Sequence, residues 1–383
     1  MFRRFRGAAA AKDMLLDRCL PLQRTERLPS MQASGRVLSQ DIFSPVSLPG
    51  FDRAAMDGFA VRSEDTRGAK PNAPVILDNF LALRTGMLVP GCYDAVVMSE
   101  DCRMRGTTLE ITVQLHAYKN VSRIGEDISV GERVFSEGHT LRPPDVAMLS
   151  ALGIDEVSIY ERPRVVIIPT GGELVPIGLR PLGVGEAYEI NGLIARLYAE
   201  KWGARAKKTE IVSDDEGLIR EAISSNADAD MIIIIGGTSV GEKDYAPKVL
   251  EEMGELFVHG VRLQPGKPTA FGVVAGKPVV CLPGYPVAAL SDLYLFVRPA
   301  LQKIGHRSDR QPKVSARLAR KIPSRPNYLS MVRVILKDGE AEPIMISGAG
   351  ILSSVARADG FVVVPEEREG LEAGETVVVE LFE

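Results

Sequence analysis

The sequence predicts a multidomain α/β plus β fold: a central doubly wound α/β domain, flanked by β-rich domains and followed by a small C-terminal all-β domain. Apolar strand-like runs alternate with helical patterns between residues 161 and 306, which is typical of a mostly parallel sheet covered by helices. Short strand-like runs separated by turns fill the chain on both sides of this region. The length of 383 residues agrees with such a division, since one domain takes roughly 100–200 residues.

Composition narrows the function classes before any motif is considered. Hydrophobic residues make up 45% and charged residues 25%, an ordinary soluble mixture that excludes wholesale disorder. The formal net charge of -4 argues against a general nucleic-acid binder. No apolar run reaches the roughly 20 residues of a membrane span, and too few apolar residues follow the basic start for a signal peptide. We therefore expect a cytoplasmic protein without disulfides, with no nucleic-acid or membrane partner.

Cysteine and histidine give no sign of a zinc site. The four cysteines form no C-x-x-C pair, and the four histidines are scattered along the chain. If the chain is an enzyme, we expect its chemistry to use carboxylates, Lys and Arg side chains and backbone amides.

The first half of the chain carries mostly strand and turn patterns. Residues 8–20 predict an amphipathic helix, and strand patterns cover residues 73–83, 94–101 and 107–115. Residues 131–144 predict a hairpin with its turn at residues 136–138. Asp145 is predicted to cap a short helix that ends before Gly153.

The second half switches to the alternating pattern near Pro163. An apolar strand precedes Thr170, and a helix is predicted over 191–203 with Asn191 as its N-cap. Residues 213–226 open with a capping box at Ser213, and the third strand of the domain covers 231–237. A helix over 245–253, three strand candidates and a long helix over 286–304 follow. Residues 308–383 then predict short strands after a basic stretch that includes Arg325.

Four loops follow strands of the predicted α/β domain, at residues 170–173, 213–215, 236–239 and 283–286. Ligands of an open parallel sheet bind outside the carboxyl ends of its strands, so these loops are expected to meet in one crevice. Their glycines allow backbone amides to approach an anion. Hydroxyls come from Thr170, Thr238 and Ser239, and carboxylates from Glu173, Asp214, Asp215 and Asp244. Amides beside carboxylates suggest a phosphate held together with Mg²⁺.

Each of these features also has a purely structural interpretation. Asp214 and Asp215 could complement a helix dipole after a Ser213 cap, and Asp244 could be a plain N-cap. A Gly-Gly pair after a strand is usually only a turn. The joint occurrence of four such loops at one edge of the sheet favours a binding site.

Longer sequence motifs are more specific than the spacing of the four loops. GGTSVGEKDY (236–245), QPGKP (264–268) and LPGYP (282–286) occur together with DRAAMDGFAVR (52–62), VSRIGEDI (121–128) and PTGGELV (169–175). In this order and over most of the chain, the set resembles the MoeA/gephyrin E-domain family, the molybdenum insertion enzymes of molybdenum-cofactor biosynthesis. The resemblance implies a molybdopterin molybdenumtransferase, which inserts molybdate-derived metal into the dithiolene of adenylylated molybdopterin and releases AMP with the aid of Mg²⁺.

The resemblance also implies roles for individual residues. Catalytic roles fall on Asp57, Asp127, Glu173, Asp244 and Ser239. Substrate-binding roles fall on Thr85, Lys267, Pro283, Pro286 and Arg333, together with the loop residues Thr170, Gly236, Gly237 and Thr238. The expected metal ligands are Asp214, Asp215, Glu173 and Asp244, with either Asp214 or Asp215 matching the family position.

The implied architecture is an elongated homodimer of four-domain subunits. Residues 1–40 with 126–160 form an N-terminal helix and linker domain, and residues 41–125 form a β-rich domain carrying Asp57. Residues 161–306 form the molybdopterin-binding α/β domain, and residues 307–383 the C-terminal β domain. The implied active cleft combines the α/β domain of one subunit with the Asp57 domain of the other. Contacts with the adenylylating protein and with acceptor molybdoenzymes are implied as well.

Three positions depart from the family pattern and leave alternatives open. Gln264 stands where many members have a lysine, Ala349 where a serine is frequent, and Tyr285 where an asparagine is common. Arg262, on the same strand face, could partly replace the missing lysine. The alternatives are a tungsten-preferring paralogue or a non-catalytic molybdopterin carrier. A dinucleotide-dependent oxidoreductase is disfavoured, because no G-x-G-x-x-G opens a helix after a strand.

Overall fold

The structure is a computed structural model that describes residues 6–237, 245–344 and 352–382. The chain forms two compact units, one of Met1–Glu26 with Tyr160–Glu383 and one of Arg27–Ile159. The four-domain division is finer than this one and stays a prediction. Within the described ranges, no helix is both long and apolar enough to cross a membrane.

The chain begins with a short strand and the predicted N-terminal helix, β1 (Arg6–Gly7) and α1 (Ala8–Asp17). The helix ends three residues before the predicted limit, and its buried face consists of Ala8, Ala11 and Leu15. These side chains pack into the core of the unit that contains the α/β sheet. The N-terminal segment therefore belongs structurally with the second half of the chain.

The unit Arg27–Ile159 is built mainly from short strands. They are β2 (Thr25–Pro29), β3 (Ile42–Phe43), β4 (Arg53–Ala54), β5 (Gly58–Val61), β6 (Val75–Leu77), β7 (Leu81–Leu83), β8 (Ala95–Met98), β9 (Cys102–Arg105), β10 (Thr108–Ile111), β11 (Val121–Ser122), β12 (Arg133–Phe135) and β13 (Glu156–Tyr160), with helix α2 (Pro143–Ala151). Two three-stranded sheets, in the orders β6-β10-β9 and β7-β5-β8, lie within residues 58–111. The alternating side chains of these strands form small apolar cores.

Two local predictions in this unit were wrong. Residues 131–144 do not form a hairpin: β12 pairs with β3, although the turn itself is present, where the His139 amide bonds to the Ser136 carbonyl at 3.1 Å. Asp145 is not the N-cap of α2 but its third residue, where it accepts a hydrogen bond from the Arg142 amide at 2.8 Å. Pro143 begins the helix because its missing amide costs nothing there.

The second half forms the predicted α/β sheet. Its elements are β14 (Arg164–Pro169), β15 (Leu174–Val175), β16 (Ala187–Tyr188), α3 (Asn191–Lys201), β17 (Arg205–Lys208), α4 (Glu216–Ser224), β18 (Met231–Ile235), α5 (Tyr245–Met253), β19 (Glu255–His259), β20 (Val261–Gln264), β21 (Ala270–Val274), β22 (Lys277–Leu282), α6 (Pro286–Asp292) and α7 (Arg298–Ile304). The sheet order is β17-β14-β18-β22-β21-β19, and the first four strands are parallel. β21 is antiparallel to both of its neighbours.

Helices cover both faces of this sheet. Val165 and Ile167 of β14 point into a core with α3 and the 286–304 helix, whereas Val166 and Ile168 point into a core with α4 and α5. This alternation explains why the strands read as continuous apolar runs. The predicted doubly wound fold is therefore confirmed.

Two predicted helix caps lie at other residues. Asn191 is the first residue of α3, and its side chain donates to the Gly284 carbonyl at 2.7 Å instead of capping. Asp215, not Ser213, is the N-cap of α4 and accepts from the Leu218 amide at 2.9 Å. The predicted helix over 286–304 is present, but Leu293–Val297 between α6 and α7 is π-helical.

The C-terminal region forms the predicted small β structure, with strands β23 (Lys313–Leu318), β24 (Ile322–Pro323), β25 (Leu329–Lys337), β26 (Glu340–Pro343), β27 (Gly360–Val364), β28 (Gly370–Leu371) and β29 (Thr376–Leu381), and helix α8 (Leu352–Ala356). Its main sheet has the order β1-β20-β25-β26-β23-β29-β27, with β25 also pairing with β27. The chain thus leaves the α/β sheet after β19, and β20 pairs with β25, Gln264 opposite Ser330. This pairing brings the loop after β20 beside the C-terminal β structure.

Candidate functional site

Loops at the carboxyl edge of the α/β sheet contact one another, as the strand order requires. The Gly171 amide bonds to the Val212 carbonyl at 3.1 Å, and the Gly236 amide bonds to the Leu282 carbonyl at 3.0 Å. A side chain at Gly236 would lie 2.4 Å from the Thr170 carbonyl oxygen, so only glycine fits there. Gly236 and Gly237 also have positive φ angles of 98° and 62°.

The Thr170 side chain is buried at the carboxyl edge of the sheet and hydrogen-bonded there, so it does not face solvent. It is only 3% exposed, and its hydroxyl donates to the Ile235 carbonyl at 3.2 Å. Its amide bonds to the same carbonyl at 2.8 Å. The predicted substrate-binding Thr170 therefore holds two neighbouring loops together.

The predicted metal ligands are only partly described. Asp215 caps α4 with one carboxylate oxygen, while Glu173 is exposed and Asp214 is half-buried. Asp244 lies outside the described residues, as do Thr238 and Ser239. Among the described residues, no group of three Asp, Glu, His or Cys side chains could hold a metal ion. The described carboxylates thus do not make a Mg²⁺ site by themselves, and the Mg²⁺ requirement stays a prediction.

A pocket of about 710 Å³ lies where the loop after β20, the loop after β22 and strand β25 meet. Lys267, Pro283 and Arg333, three of the predicted binding residues, line it together. Its other polar lining comes from Gln264, Tyr285, Ser324, Arg325, Tyr328 and Ser330. Pro286 is not in the lining; it is the first residue of α6, directly after the loop.

Arg333 is the buried cation of this pocket. It is 4% exposed on β25, and burial lowers the pKa of its guanidinium. A buried charge is screened less than a surface charge, so it attracts an anion more strongly. Lys267 is exposed, and its carbonyl accepts from the Val261 amide at 3.0 Å. With Arg325, which is exposed and also lines the pocket, the pocket combines one buried and two solvent-facing cations.

Further polar residues of the pocket were not predicted individually. The Arg325 guanidinium lies 4.6 Å from the centre of the Tyr328 ring, a cation–π contact. The hydroxyls of Ser324 and Ser330 are 2.7 Å apart. The basic stretch after residue 308 was the only sequence signal for Arg325.

Gln264, the first departure, lines the pocket where a lysine is expected. Arg262 is not in the lining, so it does not take the place of the missing lysine in this pocket. Tyr285 lines the pocket and is 66% exposed. Ala349 lies outside the described residues.

In the other unit, Asp57 and Thr85 form a second polar site. One Asp57 carboxylate oxygen accepts from the Thr85 amide at 2.7 Å and from the Thr85 hydroxyl at 2.8 Å. These bonds, the amide first, lower the pKa of Asp57 although the side chain is exposed. The family resemblance assigned both residues to the active site but did not indicate that they are hydrogen-bonded to each other. Asp127 is exposed, and its amide donates to the Leu48 carbonyl at 3.0 Å.

Glycine loops at the edge of a doubly wound sheet, beside a cationic pocket, define a class of protein that binds a small anionic ligand. The comparisons with known proteins specify the class. Residues 7–153 of the chain match the family model of the MoeA N-terminal region (domain I and II). Residues 166–303 match that of the probable molybdopterin binding domain, and residues 315–382 match that of the MoeA C-terminal region (domain IV).

Relatives align over nearly the whole chain. The chain is 34% identical to molybdopterin molybdenumtransferase 2 of Mycobacterium tuberculosis, covering 91% of this chain and 92% of that protein. It is 31% identical to a molybdopterin molybdenumtransferase of Haemophilus influenzae, covering 97% of both. A molybdopterin biosynthesis MoeA protein from Pyrococcus horikoshii superposes with a TM-score of 0.85 at 32% identity, covering 99% of this chain and all of that one. The chain belongs to the MoeA family.

Proposed function

We propose that the chain is a molybdopterin molybdenumtransferase of molybdenum-cofactor biosynthesis, which inserts molybdate-derived metal into the dithiolene of adenylylated molybdopterin and releases AMP. The observation that carries the proposal is the pocket shared by Lys267, Arg333 and Pro283. Its cationic side chains, Lys267, Arg325 and Arg333, suit a tetrahedral oxyanion, and family membership identifies the reaction in which such an anion is a substrate.

In this proposal the pocket binds molybdate before the metal is transferred. Arg333 donates from a fixed, buried guanidinium, and Lys267 neutralises the outer face of the anion. The glycine amides at the sheet edge bind the phosphate-containing part of molybdopterin. Because the glycine loops and the pocket both border the loop after β22, the metal and the dithiolene are brought within reach of each other.

The requirement for Mg²⁺ and the release of AMP follow from the family resemblance. When bound, Mg²⁺ would neutralise charge on the phosphoanhydride. Glu173, Asp214 and Asp244 are the proposed ligands, since oxygen donors suit this ion. No step assigned to Lys267 or Arg333 depends on it.

We further propose a cytoplasmic homodimer whose cleft combines the pocket of one subunit with Asp57, Thr85 and Asp127 of the other. Contacts with the adenylylating protein and with acceptor enzymes belong to the same proposal. A carboxylate held in its ionised form at Asp57 suits a site that handles cationic or metal species.

A tungsten-preferring or non-catalytic molybdopterin carrier is the second candidate. Gln264 favours the non-catalytic carrier, because a neutral side chain lines the pocket where a further cation is expected. With fewer charges the pocket would hold an oxyanion less tightly.

One assay tests both candidates: AMP release and metal insertion are measured with adenylylated molybdopterin and either molybdate or tungstate. We expect turnover with molybdate in the wild type, and at least about a tenfold loss in Arg333→Gln, equivalent to ~1.4 kcal/mol. Lys337→Gln is the matched control, because Lys337 is an exposed residue on the same strand. Wild-type binding of molybdopterin without turnover would support the carrier instead.

A further inference from the structure

A buried carboxyl group lies behind the loop that carries Lys267. Asp292, the last residue of α6, is fully buried, and Thr269 beside it is fully buried as well. Ala288, one helical turn earlier on the same face, lines the pocket, as does Gly266 in the loop. A side chain at Gly266 would come within 2.8 Å of Asp292 Oδ1, so the carboxyl group lies directly against the loop backbone.

The hydrogen bonds around Thr269 require one more proton than its hydroxyl carries. Thr269 Oγ1 lies 2.5 Å from the Gly266 carbonyl oxygen and also within hydrogen-bonding distance of Asp292 Oδ2. A carbonyl oxygen only accepts, and so does an ionised carboxylate, so the single hydroxyl proton cannot serve both contacts. Both contacts are hydrogen bonds at the same time only if the carboxyl group donates a proton of its own. A neutral Asp292 satisfies this proton count.

Burial and helix geometry agree with this assignment. Burial raises the pKa of Asp292 well above its ordinary value, and a hydrogen bond donated by Thr269 to the ionised carboxylate would lower it by less. Asp292 also directly precedes the π-helical segment Leu293–Val297, and such segments often occur at functional sites. Titratable or charged groups also lie on elements that pack against α6: Arg196, Tyr198, Glu200 and Lys201 on α3, Tyr294 in the π-helical segment, and Lys277 and Cys281 on β22. None of them contributes to the pKa shift of Asp292.

We infer that Asp292 is a positioning residue: as a neutral acid it holds Thr269 and Gly266, and thereby fixes the loop that presents Lys267 to the oxyanion. A neutral group at this position also keeps a negative charge away from the anion pocket. The inference rests on the proposed function, because the ligand whose binding it affects is the oxyanion. It adds a residue that touches neither the ligand nor Lys267.

The test is calorimetric titration of the full chain with molybdate. Asp292→Asn keeps a neutral donor for Thr269, so its affinity should stay within about twofold of wild type. Asp292→Val and Thr269→Val each break the chain of hydrogen bonds and should weaken binding about fivefold or more. Their double variant should be no weaker than either single variant, because both act on one interaction. Ser291→Ala is the matched control: Ser291 is equally buried on α6 but bonds only to the Val287 carbonyl.

A second measurement tests the protonation state without any anion. A carboxyl group with a raised pKa in the folded state contributes stability that is lost as pH rises above its unfolded value of about 4. The difference in melting temperature between Asp292→Asn and wild type should therefore shift in favour of Asp292→Asn as pH rises from about 5 to 8. A constant difference, or molybdate binding by Asp292→Val equal to wild type, would overturn the inference. A wild type that binds no molybdate, with the pH trend intact, would instead refute the proposed function and the positioning role while leaving the neutral acid established.

Discussion

At Asp57, one residue supplies both donors that hold the carboxylate. The Thr85 amide and hydroxyl each bond to the same oxygen and together lower the pKa of Asp57. Thr85→Val removes the hydroxyl and keeps the amide, so the pKa of Asp57 should rise toward its ordinary value. A carbon-13 NMR titration of the carboxyl group measures this shift directly.

The sign of the pH dependence follows from the lowered pKa. A carboxylate with a lowered folded-state pKa favours the folded, ionised protein above its unfolded pKa, and this contribution is lost as pH falls through the folded value. If ionised Asp57 is needed for activity, the acidic limb of the pH–rate profile should move to higher pH in Thr85→Val. Thr85→Ser keeps the hydroxyl and should titrate like wild type. Identical titration of Asp57 in Thr85→Val and wild type would show that the hydroxyl bond has no influence.

At the scale of the element, the start of helix α4 holds two adjacent aspartates with different roles: Asp215 is structural and Asp214 is a candidate metal ligand. Asp215 caps α4 through the Leu218 amide, whereas the adjacent Asp214 is half-buried before the helix. Asp215→Ala should lower the free energy of unfolding by about 1 kcal/mol, and Asp215→Asn by only a few tenths, because Asn caps about as well as Asp. Asp214→Ala should stay within about 0.5 kcal/mol of wild type. Urea unfolding measures all three variants.

Activity measured on the same preparations then assigns the roles. If Asp215 only caps the helix, the protein should keep its activity when Asp215 is replaced by Asn. Asp215→Asn should therefore turn over like wild type, whereas Asp214→Asn should lose activity. Loss in Asp215→Asn with unchanged stability would make Asp215 the ligand and contradict this assignment.

The same elements indicate which parts of the fold were predictable from sequence. The apolar run Met231–Ile235 and the helix over 245–253 were predicted at their observed limits or within two residues, because burial on both faces leaves a strong local pattern. The hairpin at 131–144 failed because the partner of Arg133–Phe135 lies about 90 residues away, at Ile42–Phe43. Local alternation predicts a strand but not its partner.

The candidate site was predictable to a similar extent. Lys267, Pro283 and Arg333 were selected by the family resemblance, and the structure brings them into one pocket. Arg325 and Tyr328 come from a loop with no periodic signal, and Asp292 is the one ionisable residue of the mostly apolar helix α6. Their relevance depends on which segments pack together, and spacing along the chain carries no such information.

For the whole molecule, the first prediction concerns the divalent cation. The described carboxylates do not complete a metal site, so a tightly bound structural ion is not expected within the described ranges. Exhaustive chelation should therefore leave the melting temperature unchanged to within about 2 °C, the scale of a fraction of 1 kcal/mol. AMP release should stop and should return when Mg²⁺ is added. Undiminished release after chelation would remove Mg²⁺ from the proposed function.

The proposed dimer makes a prediction that distinguishes a site shared between two subunits from a site within one chain. Asp57 and Lys267 belong to different compact units, and the composite cleft takes one from each subunit. Mixed in equal amounts, an Asp57→Asn chain and a Lys267→Gln chain should recover about a quarter of wild-type activity, since half the dimers are mixed and each has one intact site. If both residues instead served a site within one chain, every site in the mixture would carry one defect. Native mass spectrometry with one isotope-labelled chain measures the mixed dimers, and their presence without recovered activity would rule out the shared cleft.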